Sequence, residues 1–156
     1  MAELIVVTGD DELVFKLETA DPEASARAVL RDALQHMESS ARLQAPQRTG
    51  NLARSISKEG PVSIGPGSYE GSVSTGIDAP YARFVHEGTG IHGPKHQPIE
   101  ALPGNIMTFI GDGRRIFTRK TRGQKPNPFM DRAYVETRDA YLPARVAKET
   151  ERLGNI

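Results

Sequence analysis

A regular spacing of apolar residues between positions 26 and 41 constrains the fold of this chain more than any other feature. Asp21 and Pro22 suit the N-cap and the first position of a helix there, and the helix should end before Pro46, because the residue preceding a proline is disfavoured in the helical region. The apolar residues recur every three or four positions and define one helical face: Ala26, Leu30, Ala33, Leu34, Met37 and Ala41. The sequence therefore predicts a long helix that buries this face.

A second long helix is predicted near the C-terminus. It begins at Asn127-Pro128, again a capping residue followed by proline, and apolar residues continue at helical spacing from Phe129 to Ala147. Pro143 lies inside this pattern, and we expect it to kink or break the helix about one turn earlier, because proline cannot donate its helical hydrogen bond.

The remaining patterned segments predict hairpins. Residues 3–17 read as a hairpin that turns at Gly9-Asp10-Asp11, and the alternation of Leu13, Phe15 and Leu17 predicts one buried face. A later hairpin turns at Gly111-Asp112-Gly113. The fold class that follows is α+β, with two long helices packed on a mostly antiparallel sheet built from hairpins.

The centre of the chain gives weaker signals. Strands are predicted near residues 55–59 and 69–75, joined by a loop at 60–67 that is rich in Gly and Pro. Residues 80–87 fit a short helix or a strand equally well, and residues 88–105 are predicted to be a loop.

Length and charge narrow the class of protein. The chain has 156 residues, the size of one domain of roughly 100–200 residues, and we predict a single domain over 1–156 in which a hairpin extension at 1–20 precedes a core at 21–153. Lys plus Arg and Asp plus Glu number 20 each, so no net charge attracts nucleic acid or an anionic membrane. No apolar run approaches the roughly 18 residues of a membrane span, and we expect a soluble intracellular protein with no membrane partner.

Motifs for catalysis are weak. The chain has no Cys, which excludes a thiol nucleophile and a Cys-based zinc site, and no Gly-x-Ser-x-Gly motif occurs. His86, His92 and His96 could in principle bind zinc, but their spacing is not that of a helical metalloprotease, and a polar surface loop is the preferred interpretation. We therefore predict no enzyme, no catalytic residue, no metal and no cofactor; a metal-dependent hydrolase is the last alternative.

One segment departs from the overall charge balance. Residues 113–125 contain six basic residues, an interleaved aromatic and no acidic residue. Such a segment can dock on an acidic protein surface, bind nucleic acid, or remain a solvated hairpin. The candidate partner-binding residues are Arg114, Arg115, Arg119, Lys120, Arg122 and Lys125.

Three separated segments together resemble a known family. They are Ala45-Pro46-Gln47-Arg48-Thr49-Gly50-Asn51-Leu52-Ala53-Arg54-Ser55-Ile56, Pro80-Tyr81-Ala82-Arg83-Phe84-Val85-His86-Glu87-Gly88-Thr89 and Gln124-Lys125-Pro126-Asn127-Pro128-Phe129-Met130-Asp131-Arg132-Ala133. In this order they are similar to the motifs of the head–tail joining proteins of long-tailed bacteriophages, also called tail-completion or minor neck proteins. The motif positions interpreted as scaffold are Thr49, Gly50, Leu52, Ser55, Tyr81, Ala82, Gly88, Thr89, Pro128 and Phe129.

The resemblance implies a structural virion protein at the neck, at the top of the tail, which is present in the host cytoplasm during assembly. It implies a ring of six copies that connects the tail tube or tail terminator to the head-side connector of the capsid. The basic segment would then face a partner subunit or the DNA in the lumen. The alternatives are a tail terminator that caps the tail tube and a small DNA-binding accessory protein.

The motif residues also suit a scaffold. Gly50 and Gly88 fit turns that a Cβ would hinder. The sequence predicts that the junctions between helices and sheet bury Leu52, Ile56, Tyr81, Phe84, Val85 and Phe129.

Overall fold

A computed structural model describes residues 3–9, 12–18, 23–111 and 113–154 of the chain, and for the first two of these ranges it describes the backbone. The chain divides into two compact units, one formed by Met1–Ala82 with Phe129–Ile156 and the other by Arg83–Pro128. Each combines helices with small antiparallel sheets, which confirms the α+β class. That residues 1–156 form one domain with an extension at 1–20 stays a prediction.

Helix α1 (Glu23–Gln44) is the centre of the first unit. All six residues of the predicted apolar stripe are buried, with exposed fractions of 4% or less. The helix contacts the sheet on one side and the C-terminal helical region on the other, which explains why Ser25, Glu38 and Ser40 are buried as well. The predicted capping residues Asp21 and Pro22 lie outside the described residues.

Four antiparallel strands form the sheet of this unit: β1 (Glu3–Gly9), β2 (Glu12–Glu18), β3 (Ile56–Gly65) and β4 (Ser68–Thr75), in the spatial order β1-β2-β4-β3. The predicted N-terminal hairpin is present in the backbone and pairs with β4, where Phe15 lies opposite Gly71. Its turn at Asp10-Asp11 and the predicted inward orientation of Leu13, Phe15 and Leu17 lie outside what the structure describes.

Strand β3 is longer than predicted. It continues through most of the segment predicted as a loop, and only Pro66 and Gly67 remain between β3 and β4. The pairing with β4 is irregular between Glu59 and Val62, around Pro61. Proline is tolerated there because β3 is an edge strand, and one side of its backbone needs no ladder partner.

The C-terminal helical region has three parts. Helix α4 (Phe129–Glu136) continues as a π-helical turn (Thr137–Tyr141) and then as α5 (Leu142–Gly154). The Leu142 N–H donates to Thr137 O, five residues back, just before Pro143, so the chain widens about one turn before the proline, where a break was predicted. The C-terminal helical region packs on α1, and α1 packs on the sheet. The prediction had placed a second long helix directly on the sheet, so the two differ.

The second unit is built from short elements. Helix α3 (Ala82–Glu87) leads into it and resolves the open assignment of residues 80–87, and a 3₁₀ turn follows at Gly90–His92. The predicted hairpin forms from β6 (Met107–Gly111) and β7 (Arg114–Thr118), with Asp112 outside the described residues. A two-residue strand β5 (Ile99–Glu100) pairs with β8 (Lys120–Thr121), so part of the predicted loop at 88–105 is strand.

Candidate functional site

The first motif segment connects α1 to β3. Gly50 has φ 71° and caps the short helix α2 (Asn51–Ser55), which buries Leu52. The Ser55 hydroxyl donates to Leu52 O over 2.8 Å, and the guanidinium of Arg42 donates to Ile56 O over 2.7 and 3.1 Å. These contacts hold the turn from helix to strand, which is a scaffold role.

The second and third motif segments meet at one place in the second unit. The Thr89 N–H donates to Gln124 O over 2.9 Å, and the Gln124 N–H donates to Thr89 Oγ1 over 2.9 Å. The Ile91 N–H donates to Arg122 O and the Asn127 N–H to Val85 O, each over 2.9 Å. Residues 85–91 and 122–127 therefore lie side by side.

Glycine is required where these two segments touch. Gly88 has φ 81°, and a Cβ there would lie 2.9 Å from Gln124 O. Gly123 has φ 84°, and a Cβ there would lie 2.7 Å from Gly90 N and collide with Thr89 O. Both positions combine a left-handed backbone with a close backbone approach, so any larger residue forces the segments apart.

Two predicted core residues are on the surface instead. Tyr81 is 39% exposed and Phe84 is 59% exposed, whereas Ala82 between them is buried. Val85 is half-buried. Helix α3 has only six residues, and it turns its small side chain inward and its aromatic ring outward. The other predicted core residues of the motifs, Leu52, Ile56 and Phe129, are buried.

The six basic residues of the partner-binding segment are all exposed but do not share one hairpin. Arg114 and Arg115 lie on β7, Arg119 and Lys120 lie at the bend and on β8, and Arg122 and Lys125 lie on the stretch beside residues 85–91. The Thr118 hydroxyl donates to Lys120 O over 2.8 Å and accepts from Lys120 N–H, which turns the chain at Arg119 and ends β7. The basic segment is therefore not one continuous hairpin.

The positive charge of this segment is little compensated. Lys120 Nζ lies 2.8 Å from Glu100 Oε1 across the β5–β8 pair. In the described part of the chain the other five basic side chains have no ion-pair partner. They are Arg114, Arg115, Arg119, Arg122 and Lys125.

Sequence reasoning missed the apolar character of the same region. Ile110 and Phe117 on the β6–β7 hairpin are 62% and 64% exposed, and Phe109 and Ile116 are 42% and 39% exposed. The available signal was the consecutive pairs Phe109-Ile110 and Ile116-Phe117, because successive side chains of a strand point to opposite faces and so place large apolar residues on both faces of the hairpin. Contiguous exposed apolar surface with charged neighbours is typical of an interaction site.

A shallow cavity of about 510 Å³ lies within the second unit. Its wall includes the exposed ring of Phe84, the backbone of Gly88–Gly90 and Ile99, and Lys95 at its edge. Arg83 and Glu87 of α3 form an ion pair in its lining, with Arg83 Nε 3.1 Å from Glu87 Oε1. The cavity is therefore bounded by apolar side chains, backbone, the Arg83–Glu87 ion pair and Lys95.

The three histidines do not form a metal centre. Over residues 3–9, 12–18, 23–111 and 113–154, no group of three His, Asp or Glu side chains is arranged to hold a metal ion. No helix in the same ranges is both long enough and apolar enough to cross a membrane.

The chain was compared with protein families, curated proteins and solved structures. No family model, curated protein or solved structure matches it.

Proposed function

We propose that this chain is a structural protein of a long-tailed bacteriophage virion that acts at the head–tail interface. It would assemble as a ring at the top of the tail and connect the tail tube or tail terminator to the head-side connector. In this proposal two long helices beside a mostly antiparallel sheet provide a rigid scaffold, and the activity is binding rather than chemical turnover. Many copies in a ring make weak single contacts collectively stable.

The observation that carries this proposal is the exposed surface of residues 107–125, where four large apolar side chains lie close in sequence to five cations that have no ion-pair partner among the described residues. Exposing four large apolar residues on one small hairpin is costly for a protein that acts alone, whereas an assembly partner would cover them. The three motif segments add support, because they resemble the joining family in the same order. Two of them are also hydrogen-bonded to each other through Thr89 and Gln124.

The exposed arginines also favour a second candidate, a small DNA-binding accessory protein. Arg114, Arg115 and Arg119 could bind phosphates, and Phe117 could stack on an exposed base. A tail terminator is the remaining alternative within the structural class, since it would use the same kind of surface.

Antibody labelling of particles from the parent phage lysate, viewed by electron microscopy, tests the proposal. We expect label at the neck, at the top of the tail. Unlabelled particles, with the protein free in the lysate, would reject the structural role. Salt-dependent binding of duplex DNA by the purified protein would then favour the accessory protein.

A further inference from the structure

The charges of this neutral chain are separated along its length. Residues 83–128 contain eight Lys and Arg against three Asp and Glu, a net charge of +5. Because the whole chain has a formal net charge of zero, residues 1–82 and 129–156 together carry −5. Two copies of this chain can therefore attract each other through unlike surfaces even though each copy is neutral.

One face of the β6–β7 hairpin combines charge with apolar surface. The register sets Ile110 opposite Arg115 and Thr108 opposite Phe117, so these four residues share a face. Ile110 and Phe117 are both more than 60% exposed, and Arg115 is exposed beside them. A two-stranded hairpin with such a face is marginal in water unless another surface covers it.

The sheet of the first unit has a face with the complementary properties. On β4, Tyr69, Gly71 and Val73 point toward α1, because a Cβ at Gly71 would meet Leu34 of that helix. Strand alternation then directs Glu70 to the opposite face, and the register makes Lys16 of β2 its cross-strand neighbour. The register pairs Val62 with Glu70 and Glu59 with Ser72, so both lie on that opposite face too. Glu59 is exposed, and Val62 is 62% exposed.

We propose that the hairpin face of Ile110, Arg115 and Phe117 in one copy docks on the sheet face of Glu59, Val62 and Glu70 in a second copy. The apolar side chains cover each other, and Arg115 lies against the two carboxylates. This contact joins two different surfaces, so it repeats from copy to copy and closes a ring when the rotation allows. This contact rests on the self-assembly in the proposed function, and these two surfaces would form the interface between neighbouring copies.

A second copy fits this hairpin better than DNA does. Duplex DNA would engage Arg115 but would leave Ile110 without an apolar partner, whereas the sheet face offers both Val62 and carboxylates. An interface needs both apolar and charge complementarity, because its apolar centre supplies affinity and its charges set the register.

Charge reversal on each side tests the contact. Self-association of the full chain is measured by sedimentation velocity over a range of concentrations, at low and at high salt. Arg115→Glu should weaken association at least about tenfold, and Glu59→Lys/Glu70→Lys should do the same. The combined variant should associate more tightly than either, because the reversed charges attract again. High salt should weaken the wild-type complex.

Matched controls separate the contact from a general charge or surface effect. Lys95→Glu changes an exposed cation outside the hairpin, and Asp78→Lys an exposed acid outside the sheet, so both should associate like the wild type. Phe117→Ser should weaken association, whereas Ile77→Ser, at a position 94% exposed, should not. Circular dichroism of each variant verifies that the monomer is folded.

The outcomes separate this inference from the proposed function. A complex that is unaffected by Arg115→Glu and Phe117→Ser overturns the inference but leaves a ring at the neck intact. A wild-type chain that stays monomeric at every concentration also overturns it, and the labelling experiment still decides the proposed function. If the hairpin variants lose duplex DNA binding but keep the wild-type self-association, the hairpin binds nucleic acid instead. That result also overturns the proposed contact.

Discussion

Gly71 controls how closely α1 approaches the sheet. It is buried at the centre of β4, and a Cβ there would collide with the Leu34 side chain and lie 2.8 Å from Glu59 O. Gly71→Ala should therefore lower the free energy of unfolding by about 1–3 kcal/mol, the usual cost of inserting a carbon into a packed core. Urea denaturation measures it. Gly65→Ala is the control, since a Cβ at Gly65 has no atom within 4 Å; equal losses in both variants would contradict the packing argument.

Single residues show what the sequence could and could not predict. The buried positions of Leu52, Ile56 and Phe129 followed from their apolar type next to predicted elements, and the structure buries all three. Phe84 has the same apolar character but is exposed, because which side of a short helix is covered depends on distant segments. The requirement for glycine at position 71 could not be predicted for the same reason, because Leu34 comes near it only after folding.

At the scale of elements, a network of ion pairs between side chains links α5 to α1. Arg145 Nε lies 2.9 Å from Asp32 Oδ2, and Arg145 Nη1 lies 2.8 Å from Glu149 Oε2. Arg152 also contacts Glu149 and donates to Ser25 Oγ over 3.0 Å. Hydrogen bonds from Arg145, and then from Arg152 and Ser25, lower the pKa of Glu149 from 4.5 to about 2. The ionised carboxylate is thus the form that the folded state favours.

This network predicts an acid-sensitive packing of α5 on α1. Because the folded pKa of Glu149 is depressed, its stabilising effect is complete above the ordinary pKa of 4.5 and is lost as the pH falls toward about 2. Glu149→Gln should be less stable than the wild type at neutral pH and should lose less stability over that interval. Thermal unfolding followed by circular dichroism across this pH range measures both.

A carboxylate on the same helix provides the control for this prediction. Glu151 is exposed and has no ion pair within the described ranges, so Glu151→Gln should keep the wild-type stability and its dependence on pH. A Glu149→Gln variant with the wild-type acid profile would mean that the network does not hold α5.

Long elements were predictable, and short ones were not. The apolar spacing of α1 and the proline at position 143 are local signals: the structure contains the helix, and before the proline it has a π-helical turn instead of a break. Strands β5 and β8 have two residues each, too few to leave a pattern, and they exist because residues 99–100 and 120–121 are brought together. Strand β3 was cut short in the prediction because Gly60 and Pro61 resemble a loop, whereas the structure pairs Glu59 and Val62, on either side of them, with β4.

At the scale of the whole molecule, the cations that follow β7 test whether this region joins the chain to its partners. Arg119, Lys120 and Arg122 are exposed, and of the three only Lys120 has an ion-pair partner within the described residues, Glu100. Arg122 contributes its backbone carbonyl to Ile91, a bond that a new side chain leaves in place. Reversing all three charges should therefore alter the surface while the monomer stays folded.

Under the proposed function, the triple variant Arg119→Glu/Lys120→Glu/Arg122→Glu should block head–tail joining when it replaces the wild type in the phage. Complementary charges would become repulsive at every copy of a ring, so the effect should multiply and leave separate heads and tails in electron micrographs. Arg48→Glu/Lys95→Glu/Lys148→Glu carries the same change of charge at exposed positions elsewhere and should give normal particles. If the first variant is folded and still gives normal particles, these cations are not part of the joining surface.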